Sequence, residues 1–149
     1  MFRKILYPTD FSESSDRAIP YILKLKEAGT REIVLLHVID VRYGGMVEAV
    51  TWFGETVQQF EMELYNKLKQ DSEKRLEMIR KKLSRHYKIK VIIQNGIPFK
   101  VIIDTAEEEK VSLIVLGSHG KSNIEEMLLG SVSEKVIRKS AKPCLVIKR

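Results

Sequence analysis

The sequence predicts an α/β fold: a five-stranded parallel sheet of order 3-2-1-4-5 with helices on both faces. Three observations carry this. Short apolar runs alternate with segments of helical periodicity, giving β-α-β-α-β-α-β-α-β. The run Ile33–Ile39 is almost continuously apolar, as a strand covered on both faces must be. Turn-forming residues close the runs, at Pro8-Thr9-Asp10, Asn95-Gly96 and Gly117–Gly120. Right-handed crossovers leave few topologies, and the doubly wound, Rossmann-like one reverses between strands one and four.

The elements follow in order. Phe2–Tyr7 is the first strand. Ser12, Ser14 and Ser15 can each cap a helix, and Ala18, Ile19, Ile22, Leu23 and Leu25 recur at helical spacing. Pro20 falls early enough there for a first-turn position or a mild kink, and Gly29 closes the helix. Glu32–Asp40 is the second strand. Residues 41–56 hold Gly44, Gly45, Gly54, Trp52 and Phe53 without a period and read as a long loop, a lid or a partner-binding segment. Phe60, Leu64, Leu68, Leu76, Ile79 and Leu83 form one helical stripe. Lys90–Gln94 is the third strand. Pro98 opens a helix with Val101, Ile102, Thr105 and Ala106 inward. Val111–Leu116 is the fourth strand. A last helix runs from about Val132 to Ser140 with Val136 and Ile137 inward, and Cys144–Lys148 is the fifth strand.

The 149 residues suit one domain, 1–149, and a composition 44% hydrophobic and 31% charged is that of a globular chain. No apolar run reaches the roughly 18–20 residues that span a membrane, and Ile5–Tyr7 is too short for a signal-peptide core. A cytoplasmic protein is expected. Cys144 is the one cysteine, so no intrachain disulfide forms, and its apolar neighbours make it a small core residue. The net charge of +6 favours phosphate-bearing ligands in a general way. The basic residues are dispersed among acids, however, and the cluster Arg80, Lys81, Lys82, Arg85 reads as a solvated helix face. Nucleic acid is not expected as a partner.

The stretch Gly117–Ser133, GSHGKSNIEEMLLGSVS, carries the chemistry. Glycine at a strand end lets backbone approach a ligand, and Gly-Ser before a helix offers free N–H groups to an anion. Ser122 with Glu125, and Ser131 with Glu134, have capping-box spacing, and Gly130 between them reads as a left-handed cap. Gly120-Lys121-Ser122 resembles the tail of a P-loop, but that motif needs glycine where Val115 stands, so a P-loop is rejected. G-x-G-x-x-G is absent after the first strand. In the predicted sheet, Pro8-Thr9-Asp10 and Gly117–Gly120 face each other across the switch-point crevice.

The chain resembles the universal stress proteins. The resemblance covers essentially the whole sequence. It rests on Pro8-Thr9-Asp10-Phe11-Ser12, on Leu36-His37-Val38, on G-x2-G-x9-G-[ST] as Gly117, Gly120, Gly130, Ser131, and on Lys142-Pro143 before Leu145-Val146-Ile147. It implies the ATP-binding branch. Pro8, Thr9 and Asp10 would then line the adenine and ribose side, with Asp10 accepting from the ribose and Val38 packing on the base. Leu116, Gly117, Ser118, His119 and Gly120 would wrap ribose and phosphates, and Gly130, Ser131, Val132 and Ser133 would bind the phosphate chain. Mg or Mn would bridge the phosphates, held mostly by ATP itself. Other readings stay open: Asp10 as a simple turn cap, His119 as a loop-orienting group, His37 as a hydrogen-bonded core histidine, and the glycines as plain turns.

Three functions compete. A nucleotide-dependent regulatory or switch module leads. A slow ATPase or adenylate-transferring enzyme of the same fold class is the alternative, with no general base or arginine finger evident. A nucleotide-free dimerisation domain is opposed by the intact glycine motif. A homodimer is expected through the apolar edge strand Cys144–Lys148.

Overall fold

The computed structural model describes residues 1–40, 57–118 and 129–148. Five parallel strands, β1 (Lys4–Pro8), β2 (Glu32–Asp40), β3 (Lys88–Gly96), β4 (Leu113–Gly117) and β5 (Cys144–Ile147), form one sheet in the order β3-β2-β1-β4-β5. The order deduced from the alternation of apolar runs and helical segments is the order observed. The helices are α1 (Glu13–Asp16), α2 (Ala18–Lys24), α3 (Val57–Leu83), α4 (Pro98–Glu108) and α5 (Ser131–Lys139).

Strand side chains alternate between two cores, as a two-residue period requires. Ile5, Tyr7, Ile33, Leu35, Leu113 and Val115 meet α2 and α3 on one face. Leu6, Val34, Leu36, Ile114 and Leu116 meet α4 and α5 on the other. The break between α1 and α2 falls at Arg17. Pro20 has no N–H for the carbonyl of Asp16 and its ring crowds that carbonyl, so the two short helices cannot run on as one. Gly29 adopts φ +94° in the turn that follows α2. The Tyr87 hydroxyl donates to the α2 carbonyls of Ile22, at 2.6 Å, and Leu23, at 3.1 Å.

Several details differ from expectation. Among the described side chains of α3 only Ser72, Leu76, Ile79 and Leu83 are buried, whereas Leu68 is exposed. A 27-residue helix is about 40 Å long, and the nine-residue strand beneath it about 30 Å, so the N-terminal turns overhang the sheet. β3 runs two residues further at each end than Lys90–Gln94, because it keeps register with all of β2. On α5 Val136 is buried but Ile137 is 39% exposed: neighbours on a helix point about 100° apart, and one inward face cannot take both. The expectations for residues 41–56, and for the capping box at Ser122 and Glu125, lie outside the described residues.

The pairing of β1 is uneven on its two sides. β1 follows β2 in register up to Pro8–Leu36, and Thr9 N–H still reaches Leu36 O at 2.8 Å. Toward β4, however, β1 is paired only at Ile5–Leu113 and Leu6–Ile114. N–H groups of a parallel strand point to alternate sides. Thr9 donates toward β2, so residue 8 would donate toward β4, and Pro8 has nothing to donate. The two strands part there, at the reversal of the sheet.

Candidate functional site

The parting of β1 and β4 opens a cavity of ≈ 580 Å³ at the carboxyl ends of the strands. It gathers residues from separate parts of the chain. Pro8, Thr9 and Asp10 come from the end of β1, and Val38 from β2. Leu116 and Gly117 end β4, and Gly130, Ser131, Val132 and Ser133 form the start of α5. Ser118 is not among the lining residues. It is buried, its N–H donates to Ile147 O at 2.9 Å and its carbonyl accepts from Gly130 N–H at 2.6 Å. His119 and Gly120 lie outside the described residues.

The β1 side is wired by side chains. The Tyr7 hydroxyl donates to Ser15 O at 2.9 Å, and the Thr9 and Ser15 hydroxyls share a buried hydrogen bond of 2.6 Å. Burial raises the Tyr7 phenol to about 12, with its bond to Ser15 pulling the other way. Thr9 Oγ1 also accepts from Phe11 N–H at 3.0 Å, and Asp10 Oδ1 accepts from Ser12 N–H at 3.0 Å. Asp10 therefore does cap the local turn, using one carboxylate oxygen. His37 is buried, and its Nδ1 donates to Thr9 O at 2.8 Å, which makes it a hydrogen-bonded core histidine. These bonds hold Phe11 at φ 62°, a left-handed conformation that costs a bulky residue about 1–2 kcal/mol.

The β4 side is built by the lack of side chains. A Cβ on Gly117 would lie 2.7 Å from Ser14 O and 2.8 Å from Ser14 C, so glycine here admits the backbone of α1. Its φ is not positive. Gly130 is not the left-handed cap that its sequence position suggested: at φ −69° and ψ 157° it is the N-cap of α5, which begins at Ser131. The expected Ser131–Glu134 capping box does not form, and the Glu134 carboxylate pairs with Arg138 instead. The first intrahelical bond is Glu134 N–H to Gly130 O at 2.9 Å. A glycine N-cap has no side chain to occupy the first-turn N–H groups, so those of Ser131, Val132 and Ser133 stay available to an anion. The Ser133 hydroxyl donates to Gly117 O at 2.7 Å and ties α5 to β4, while Ser131 is exposed.

Phe11, Arg75, Asp71 and Asp40 also line the cavity; Phe11 stands in the Pro8-Thr9-Asp10-Phe11-Ser12 motif without a role, and the other three carry no signal of their own as site residues in the sequence. Arg75 lies on α3 with its guanidinium 5.3 Å from the Phe11 ring centroid and 3.2 Å from Asp71. The same ring packs on His37, with centroids 4.3 Å apart. The one available signal was Ser72, a polar residue on the buried line of α3, which places Asp71 and Arg75 beside the sheet. Cys144 is half-buried and burial pushes its thiol up, away from the reactive thiolate.

A parallel sheet of order 3-2-1-4-5 with a cleft at its switch point, one wall of which is a helix N-terminus, places the chain in the doubly wound α/β class. A sequence model described as the Universal stress protein family matches residues 1–148, and the chain belongs to that family. It is 45% identical to universal stress protein MJ0577 of Methanocaldococcus jannaschii, over 100% of this chain and 96% of that one. The solved structure of MJ0577, presented as a structure-based assignment of biochemical function, superposes with a TM-score of 0.89 at 46% identity, covering 100% of this chain and 97% of the other. An Arabidopsis thaliana member solved with AMP bound shares the fold, with a TM-score of 0.67 and 21% identity over 98% of this chain and 91% of the other. Among the described residues, no helix is long and apolar enough to cross a membrane.

Proposed function

We propose that this chain binds ATP in the β1–β4 cleft and acts as a nucleotide-dependent regulatory switch. One observation carries the reading: the uncapped N-terminus of α5 and the carboxylate of Asp10 line the same cavity. The N–H groups of Ser131, Val132 and Ser133, with the exposed Ser131 hydroxyl, suit the phosphates. Asp10 has Oδ2 left for a ribose hydroxyl, since Oδ1 holds Ser12 N–H. Val38 and Leu116 supply apolar surface for the base. Mg or Mn would enter with ATP, held chiefly by phosphate oxygens, and would neutralise part of their charge. His119 and Gly120 complete the set by family resemblance. Holding is favoured over cutting, since the His37 Nδ1 and Thr9 hydroxyl that border the cleft are already hydrogen-bonded to the protein.

Calorimetry of the purified chain with ATP and magnesium tests this. Saturable binding that Gly130→Val weakens at least tenfold is expected, because a β-branched side chain would cover the α5 N–H groups. Absence of heat, together with no adenine nucleotide eluting from denatured protein, would overturn the reading. Phosphate release above the Gly130→Val control would favour a slow ATPase instead. We further propose a homodimer through β5, which among the described residues pairs only with β4 and presents the half-buried Leu145 and Val146. Light scattering at micromolar concentration should show twice the chain mass, and a monomer would rule the dimer out.

A further inference from the structure

The cleft poses an electrostatic problem. Among the described residues that line it, Asp10, Asp40 and Asp71 are acidic and Arg75 is the one permanent cation. A polyphosphate entering such a cavity meets like charge, which its magnesium and the α5 N–H groups offset only in part. Arg75 is held by two partners that let go easily. Its ion pair with Asp71 is 3.2 Å long and both side chains are more than half exposed, and its contact with Phe11 is a face-on approach at 5.3 Å. Exposed pairs and cation–π contacts of this kind are weak. The ring beneath it also packs on His37, so it keeps a partner when the guanidinium leaves.

We propose that Arg75 is a charge-reading arm of the cleft, which exchanges Asp71 and the face of Phe11 for the phosphates of a bound nucleotide. This rests on the nucleotide reading above. The arm comes from α3, on the face of the sheet opposite α5, so phosphates would be gripped from both sides of the crevice. The exchange ties ligand charge to α3: a nucleoside without phosphates leaves Arg75 on Asp71, and a nucleotide draws it away.

Calorimetry of the full chain with magnesium-ATP and with adenosine separates the possibilities. Replacing an exposed ion pair by charge-assisted hydrogen bonds to phosphate corresponds to roughly tenfold in affinity. Arg75→Ala should therefore weaken ATP about that much while leaving adenosine unchanged, and Asp71→Asn should tighten ATP. Equal losses for ATP and adenosine in Arg75→Ala would make Arg75 a mere support for Phe11 and overturn the proposal. So would wild-type ATP affinity in the Arg75→Ala/Asp71→Asn double variant, which would reduce Arg75 to neutralising Asp71. A wild-type chain that binds neither ligand overturns the nucleotide reading as well. One that binds ATP with Arg75→Ala unaltered overturns only the arm. Arg75 is half-exposed, and circular dichroism should show each variant folded.

Discussion

The two lips of the cleft are made by opposite means. The β1 lip is a lattice of side chains: Tyr7 to Ser15, Ser15 to Thr9, Thr9 to Phe11, and His37 back to Thr9. The β4 lip is made of positions where side chains are missing, Gly117 under α1 and Gly130 at the head of α5. The first lip fixes a shape and holds Phe11 in a strained conformation. The second fixes an absence, keeping backbone N–H groups within reach. A site can thus be rigid on one side through hydrogen bonds and open on the other through glycine.

Substitutions on the two lips should break differently. Gly117→Val is the most damaging, because its Cβ meets the main chain of Ser14 and not a movable side chain. Overpacking of this kind costs about 3 kcal/mol, seen as a lower urea midpoint with m unchanged. Tyr7→Phe tests the other lip through pH. Unfolded tyrosine ionises near 10 and the buried phenol only at about 12, so the folded state keeps its proton longer and stability falls as pH rises from 10 to 12. That loss is on the order of 3 kcal/mol and should shrink in Tyr7→Phe, leaving the smaller share of Tyr87, whose phenol burial also raises, while neutral-pH stability drops by only about 1 kcal/mol for the lost bond to Ser15. Thr9→Val keeps the shape but strands the Ser15 hydroxyl and the Phe11 N–H, at about 2 kcal/mol by chemical denaturation. The mildest change lies remote from both lips. Glu109 accepts from Lys4 at 2.7 Å and from Lys90, and these bonds, the one to Lys4 first, hold its carboxyl below the usual range. Its contribution is present above the unfolded carboxylate value and is lost as pH falls through the lower folded one. Glu109→Gln should lower stability at neutral pH and flatten the acid limb of the melting curve, with nucleotide binding unchanged.

The sheet order was legible because alternation and crossover handedness are consequences of local pattern. So was the placing of Pro8-Thr9-Asp10 beside Gly117, which follows from strand order, while the Gly120 end of that expectation lies outside the described residues. The reason for each glycine was not legible. Gly117 answers to Ser14, more than a hundred residues away, and no local spacing announces that contact. Ser131-x-x-Glu134 looked like a capping box, but Arg138, four residues on, outcompetes the N-terminus for the carboxylate. Phe11 at positive φ defies its own preference, held there by a local bond to Thr9 and by ring contact with His37 from β2. The exposure of Leu68 depends on how far α3 outruns the strand beside it.

The placement of β1 has a consequence in time. Of the five strands of this sheet, the one synthesised first is its middle, and its partner on one side, β4, lies over a hundred residues downstream at Leu113. A nascent chain can pair β1 with β2 early, at a separation of 28 residues between Ile5 and Ile33, but its centre stays open until β4 leaves the ribosome. Such long-range parallel pairing is slow, and translation at about 5–20 residues per second sets a delay of several seconds before it can begin. The cleft is therefore among the last parts of the molecule to exist.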